Sequence, residues 1–152
     1  MRNDTAISAL QDHTLNTGRL GEQVVAEYLR QRGYTLMAQN FRKQYAEIDL
    51  IATKPTKRIG NRDVAHETVH FIEVKTVSHG TLKELECAVT RETWRPEELV
   101  HEHKLNQIRK GVETWVLEHG WEGELQIDVA AVRIVPCEKF ATVNLIENIV
   151  IE

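Results

Sequence analysis

Two short apolar runs are each interrupted by charge, and this constrains the fold more than any other feature of the chain. In residues 47–52 (EIDLIA), Asp49 stands among Ile48, Leu50 and Ile51. In residues 68–77 (TVHFIEVKTV), Glu73 and Lys75 stand among Phe71, Ile72 and Val74. Runs of this length and β-branched content read as strands. A strand covered on both faces is nearly continuous in Val, Ile and Leu, and a charge buried there is costly unless it is paired or holds a metal. Side chains alternate along a strand, so Glu73 and Lys75 share a face. If the two runs are neighbours, Asp49 faces Glu73 across the ladder. Two convergent carboxylates suit a hard divalent cation such as magnesium, which takes oxygen ligands and keeps several waters. Lys75 beside them could orient a water and stabilise developing negative charge. The alternative places Glu73 and Lys75 on a solvated strand face, where such a pair contributes under ~1 kcal/mol.

The elements around these strands follow from periodicity. Leu20, Val24, Val25, Tyr28 and Leu29 recur at helical spacing from Gly18 onward, and Gly33 supplies a stop. Residues 34–41 carry partial alternation and read as a strand. Residues 54–67 contain Pro55, Gly60 and Asn61 with Lys54, Lys57, Arg58 and Arg62, and read as a long hairpin loop. Residues 78–95 show no clear pattern and read as irregular. Pro96, followed by Glu97 and Glu98, suits the first turn of a helix. Its stripe of Leu105, Ile108, Val112, Trp115 and Val116 reaches about His119, before Gly120 and Gly123. Residues 125–135 read as a further strand. The tail, residues 142–151, is either another strand of the same sheet or a patch for a partner chain. The expected order is α-β-β-β-α-β, an α/β fold with a mixed central sheet flanked by helices. The strand after the long helix is expected to pair in parallel through a crossover. Residues 1–17 are expected to form a loose arm or a short frayed helix, 18–135 the domain proper, and 136–152 a tail with a possible extra strand.

Composition narrows the classes. A chain of 152 residues favours one domain with a sizeable core. No apolar run approaches the ~20 residues needed to span a bilayer, and residues 1–18 hold no secretory h-region. Two distant cysteines, Cys87 and Cys137, make neither a disulfide framework nor a CxxC zinc site. The cytoplasm is the expected compartment. The net charge of −4 argues against a protein coated in positive charge, although a basic patch and an acidic metal site can coexist. His101 and His103, two apart on a helix, point to different faces, and the other histidines show no ligand spacing. Trp94, Trp115 and Trp121 read as core or loop anchors.

The ordered series Gly18-Arg19-Leu20-Gly21-Glu22, Ala26, Tyr28-Leu29, Gly33-Tyr34, Asn40-Phe41-Arg42, Glu47-Ile48-Asp49-Leu50-Ile51-Ala52 and Glu73-Val74-Lys75-Thr76 resembles the YraN-type family. The match continues through Pro96-Glu97-Glu98-Leu99-Val100, Lys104 and Ile127-Asp128-Val129. That family is similar to Holliday-junction resolvases of the restriction-endonuclease-like, PD-(D/E)xK fold. The resemblance implies a metal-dependent nuclease that hydrolyses DNA phosphodiester bonds, with branched or structured DNA as a substrate class and Mg2+ or Mn2+ as cofactor. It implies that Asp49 and Glu73 are metal ligands, Lys75 the catalytic lysine, and Glu22 an additional acidic ligand. Read from the residues alone, Glu22 is equally a first-turn helix carboxylate. Glu47 reads as a group behind the ligands or as solvated. The resemblance also offers Arg19, Arg42 and Lys104 as nucleic-acid contacts, while a solvated helix lysine is the plainer reading of Lys104. A homodimer is implied by the resolvase likeness. Two positions depart from the family pattern: Ala46 replaces a usual Gly, and Val77 stands where an arginine is usual, which puts one phosphate contact in doubt. The other class is a nucleic-acid-binding or scaffold module that keeps the fold without cleavage.

Overall fold

A computed structural model describes residues 3–5, 16–55, 67–91 and 100–149. The stripe that begins at Leu20 becomes helix α1, Thr17–Gln31. Asn16 caps it, its side-chain oxygen accepting from the Arg19 backbone N–H at 2.9 Å. Gly33 ends it at φ +83°, and Tyr34 N–H returns to the Leu29 carbonyl at 3.0 Å. This is the left-handed exit that glycine favours. Leu20, Val24, Val25, Tyr28 and Leu29 are all buried, as the periodicity requires.

Five further strands and a short one build a single sheet. β1 is Asn3–Thr5, β2 Thr35–Lys43, β3 Ala46–Pro55, β4 Glu67–Ser78, β5 Glu124–Val135 and β6 Phe140–Ile146, in the order β1-β6-β5-β4-β3-β2. β2, β3 and β4 pair antiparallel, and β4 pairs parallel with β5. The sheet is therefore mixed, and a crossover carries the chain between its two central strands. β5 turns through a 3-10 segment, Pro136–Glu138, into antiparallel β6. The tail thus pairs within its own sheet. Asn3–Thr5 pairs antiparallel with β6, so part of the expected arm is strand.

Among the described residues the crossover contains two helices, and the first of them corrects an expectation. α2 spans Leu82–Arg91 inside the stretch read as irregular. Its apolar positions Leu82, Leu85 and Val89 have helical spacing, but only Leu85 is buried, so the stripe is short. α3 begins at Glu102 and ends at His119, with Gly120 in the left-handed conformation at φ +57°. The start proposed at Pro96, Trp94, and all but the ends of the basic loop at 54–67 lie outside the described residues.

The helices cover the two faces of the sheet. On the α1 side, Val24, Val25 and Leu29 pack on Leu50, Ala52, Ile72, Ala130, Val132 and Ile134. On the α3 side, Trp115 packs with Ile48, Ile51, Val69 and Phe71. Its ring meets Phe71 edge-on at 5.5 Å. Trp115 is fully buried and Trp121 packs against it, as the anchor reading of these residues holds. Among the described residues, no helix is long and apolar enough to cross a membrane.

Candidate functional site

Strict alternation would put Ile48 on the same face as Leu50 and Ala52. Instead, Ile48 packs with Ile51 on the α3 side while Leu50 and Ala52 face α1. The alternation of β3 breaks at Asp49. On the neighbouring strand the matching disturbance is Asn40, at φ +51° between the pairs Gln39↔Leu50 and Phe41↔Ile48. Asparagine tolerates this left-handed conformation better than most residues. On the other side, the β3–β4 register ends at Leu50↔Ile72, one step before Asp49 and Glu73. The strands part there, and the Asp49 carboxylate accepts the Val74 backbone N–H at 2.8 Å. A side chain has taken over a ladder bond, so the two carboxyls are held at the point of divergence.

Both acids are buried, Asp49 at 7% exposure and Glu73 at 3%. Lys75 Nζ lies 3.2 Å from Glu73 Oε1, and Lys104 Nζ lies 3.3 Å from Glu73 Oε2. The Lys104 contact is an ion pair outside hydrogen-bond geometry, because Oε2 is buried and accepts no hydrogen bond. Burial, and then the charge of Asp49, push Glu73 up to about 7, with the two lysines opposing. A protonated Glu73 hydroxyl shared with Asp49 raises it further. The solvated-face reading of Glu73 and Lys75 does not hold for Glu73.

The structure brings Glu22 to the same place. It lies in the second turn of α1, which has no acidic residue in its first turn, so the dipole reading of Glu22 is corrected. Burial and then the charge of Asp49 raise its pKa, while a hydrogen bond with Asn40 and the charges of Arg42 and Arg19 lower it. Arg19 and Arg42 are exposed at this edge. Gly21 makes the approach of α1 possible, since a Cβ there would fall 1.8 Å from Thr76 Oγ1 on β4.

Lys104 is not a solvated helix lysine. Its side chain is 18% exposed, and Nζ also lies 3.3 Å from Glu47 Oε1. Burial works against its charge, but Glu73, Asp49 and Glu47 outweigh that and raise its pKa. Glu47 in turn reaches Arg42 at 3.7 Å. The site is thus four carboxylates and two lysines drawn from two helices and two strands.

Asp49, Glu73 and Glu22 have the oxygen donor set that a hard divalent cation takes. The buried Oε2 without a hydrogen-bond donor is the kind of acceptor such an ion would satisfy. The residues present fit the ion.

A second polar centre was missed from sequence. His70 Nδ1 meets Asp128 Oδ2 at 2.6 Å, both residues buried. They are 58 residues apart, so no local ligand spacing could signal them. Only the charge of Asp128 in an apolar strand was visible.

A mixed sheet parting at a buried Asp–Glu pair, with a lysine against each Glu oxygen, defines an α/β protein with an acidic centre at a strand divergence. A sequence profile described as "Uncharacterised protein family UPF0102" matches residues 21–132. The chain belongs to that family, the YraN-type family that its motifs resemble. The matched span includes Glu22, Asp49, Glu73, Lys75 and Lys104. A UPF0102 protein of Campylobacter jejuni (strain 81-176) is 29% identical over 132 residues, 87% of this chain and 91% of the relative. One from Alkaliphilus oremlandii is 30% identical over 136 residues, 86% and 94% of the two chains. One from Syntrophus aciditrophicus is 44% identical over 62 residues, 41% and 40% of the two chains.

Proposed function

We propose that this protein is a metal-dependent nuclease that hydrolyses DNA phosphodiester bonds, with branched or structured DNA as its substrate class. The observation that carries the reading is the buried Asp49–Glu73 pair at the parting strands, with Lys75 3.2 Å from Glu73. Mg2+ or Mn2+ would be held by Asp49, Glu73 and Glu22. When bound, such an ion lowers the pKa of a coordinated water and offsets charge on the phosphate. The Lys75 amine stands where it can hold the attacking water and stabilise the added negative charge of the phosphorane. Water adds at phosphorus and one P–O ester bond breaks. The products are a phosphate monoester and a free hydroxyl, and the proton of the water compensates the leaving oxygen. Lys104, Arg19 and Arg42 line the approach as cations for flanking phosphates. A two-fold dimer would suit a two-fold junction, and the cytoplasm is its proposed compartment.

One observation favours a second reading. Lys75 and Lys104 already compensate Glu73 without an ion, which a nucleic-acid-binding or scaffold module without turnover would also tolerate. Calorimetric titration with manganese separates the two. The nuclease reading expects binding heat in the wild type that is absent in Asp49→Ala. A cleavage screen over single-stranded, duplex, flap and four-way DNA expects products that vanish in Glu73→Ala and Lys75→Ala. Equal heat in both titrated proteins, or cleavage surviving both substitutions, rejects it.

A further inference from the structure

We propose that His70, Asp128 and Glu147 form a second divalent-metal site, one that takes a borderline ion such as zinc or cobalt rather than magnesium. It is independent of the nuclease reading. One ligand atom from each residue lies within 4.8 Å of the other two. His70 shares its face of β4 with Ile72, in the α1-side core, whereas Glu73 faces the other way. Tyr34, between α1 and β2, lies edge-on to the His70 ring at 5.0 Å.

The geometry is that of a prepared ligand set. Asp128 is fully buried, and its Oδ1 accepts from Gln126 Nε2 and from the Asn148 backbone N–H, each at 2.8 Å. Those two donors fix the carboxylate so that Oδ2 points at His70. Outer partners of this kind orient metal ligands. Glu147 is exposed, hydrogen-bonds with Tyr34, and adds a second carboxylate from the solvent side. An imidazole nitrogen with two carboxylate oxygens suits zinc or cobalt, while magnesium prefers oxygen alone. Three protein ligands leave a fourth position for water. A metal on Nδ1 requires the imidazole proton to sit on Nε2, so the ion would take the place of the hydrogen bond between His70 Nδ1 and Asp128 Oδ2. Zinc–ligand distances near 2.0 Å in a tetrahedron would open the 2.6 Å contact to about 3.3 Å. Glu147 enters on the chain just past β6, where Ile149 N–H donates to the Ile127 carbonyl at 2.8 Å. A bound ion therefore cross-links this segment to β4 and β5.

The test uses the full chain carrying Asp49→Ala, Cys87→Ser and Cys137→Ser, which removes the first centre and both exposed thiols. Titration with zinc chloride is expected to show one equivalent bound and a rise in Tm, and magnesium chloride neither. Cobalt chloride is expected to give visible absorption without a thiolate band. Adding Glu147→Gln, at an exposed position that leaves the core intact, is expected to weaken zinc at least tenfold. Adding His70→Asn should abolish binding if that variant folds, and Glu147→Gln decides the matter if it does not. No zinc heat in the triple variant, or the same affinity with Glu147→Gln, overturns the site.

Discussion

Glu73 is a carboxyl held under electrostatic stress by its surroundings. Its carboxyl titrates at about 7, against 4.5 in an unstructured chain, because burial and then Asp49 oppose its charge. The sign follows from proton counts. Below pH 4.5 both states are protonated, and between 4.5 and about 7 only the folded state keeps the proton. Stability from this group is therefore complete at low pH, falls as pH rises through that window, and is level above it. The gap corresponds to on the order of 3 kcal/mol. In chelator, urea unfolding of the wild type is expected to lose a part of that between pH 5 and pH 8, and Glu73→Gln to lose much less. Parallel pH curves for the two proteins would show that Glu73 is not the stressed group. A divalent ion reverses the cost, since it favours the ionised form. Manganese affinity should accordingly rise with pH up to about 8 in the wild type.

Elements carry the site, and two glycines set how closely they approach. A methyl at Gly21 would strike Thr76, whose Oγ1, Cβ and Cγ2 all lie within 2.8 Å of it. Thr76 is short and branched, so it has no room to yield. A methyl at Gly111 would strike Ile48 at Cδ1 and Cγ1, both at 2.6 Å, which is the outer, flexible part of a longer side chain. Gly21→Ala is expected to cost about 2–3 kcal/mol by overpacking and to displace Glu22, while Gly111→Ala costs about 1 kcal/mol or less. Thermal unfolding ranks the two, and the reverse ranking would mean that α1 shifts more easily than Ile48 turns. Legibility in the sequence divides along the same lines. α1, β3, β4 and β5 were readable because each buries a stripe or run, and α3 because its long stripe is buried or half-buried over several turns. The α2 helix was not, because only Leu85 of its stripe is buried and two turns give little periodicity. Asp49 and Glu73 stood out as charges within apolar runs. Lys104 did not, because a lysine at the edge of a helix stripe looks the same whether it meets water or Glu47 and Glu73. The break in β3 at Asp49 was invisible too, since it follows from how the strands part.

At the scale of the molecule, charge must be reconciled with the proposed substrate. A chain with net charge −4 cannot hold DNA by a general positive field. Attraction has to be local, and the exposed cations beside the acid centre are Arg19 at the start of α1 and Arg42 at the end of β2. Both act electrostatically on Glu22, so they stand at the mouth of the site. The four carboxylates there are balanced by Lys75, Lys104, Arg19 and Arg42, so a divalent ion among Asp49, Glu73 and Glu22 would make that mouth net basic. Binding to a four-way DNA should therefore require the ion, with calcium serving as an oxygen-preferring ion for the binding measurement. Arg19→Ala with Arg42→Ala removes two phosphate contacts at exposed positions, where the effect on stability is within about 0.5 kcal/mol. By fluorescence anisotropy in calcium, the double variant is expected to bind roughly tenfold more weakly at low salt. Its slope of log affinity against log salt should be shallower by about 2. A slope equal to that of the wild type would mean that DNA does not cross these arginines. The path to Glu73 would then have to run over another edge of the sheet.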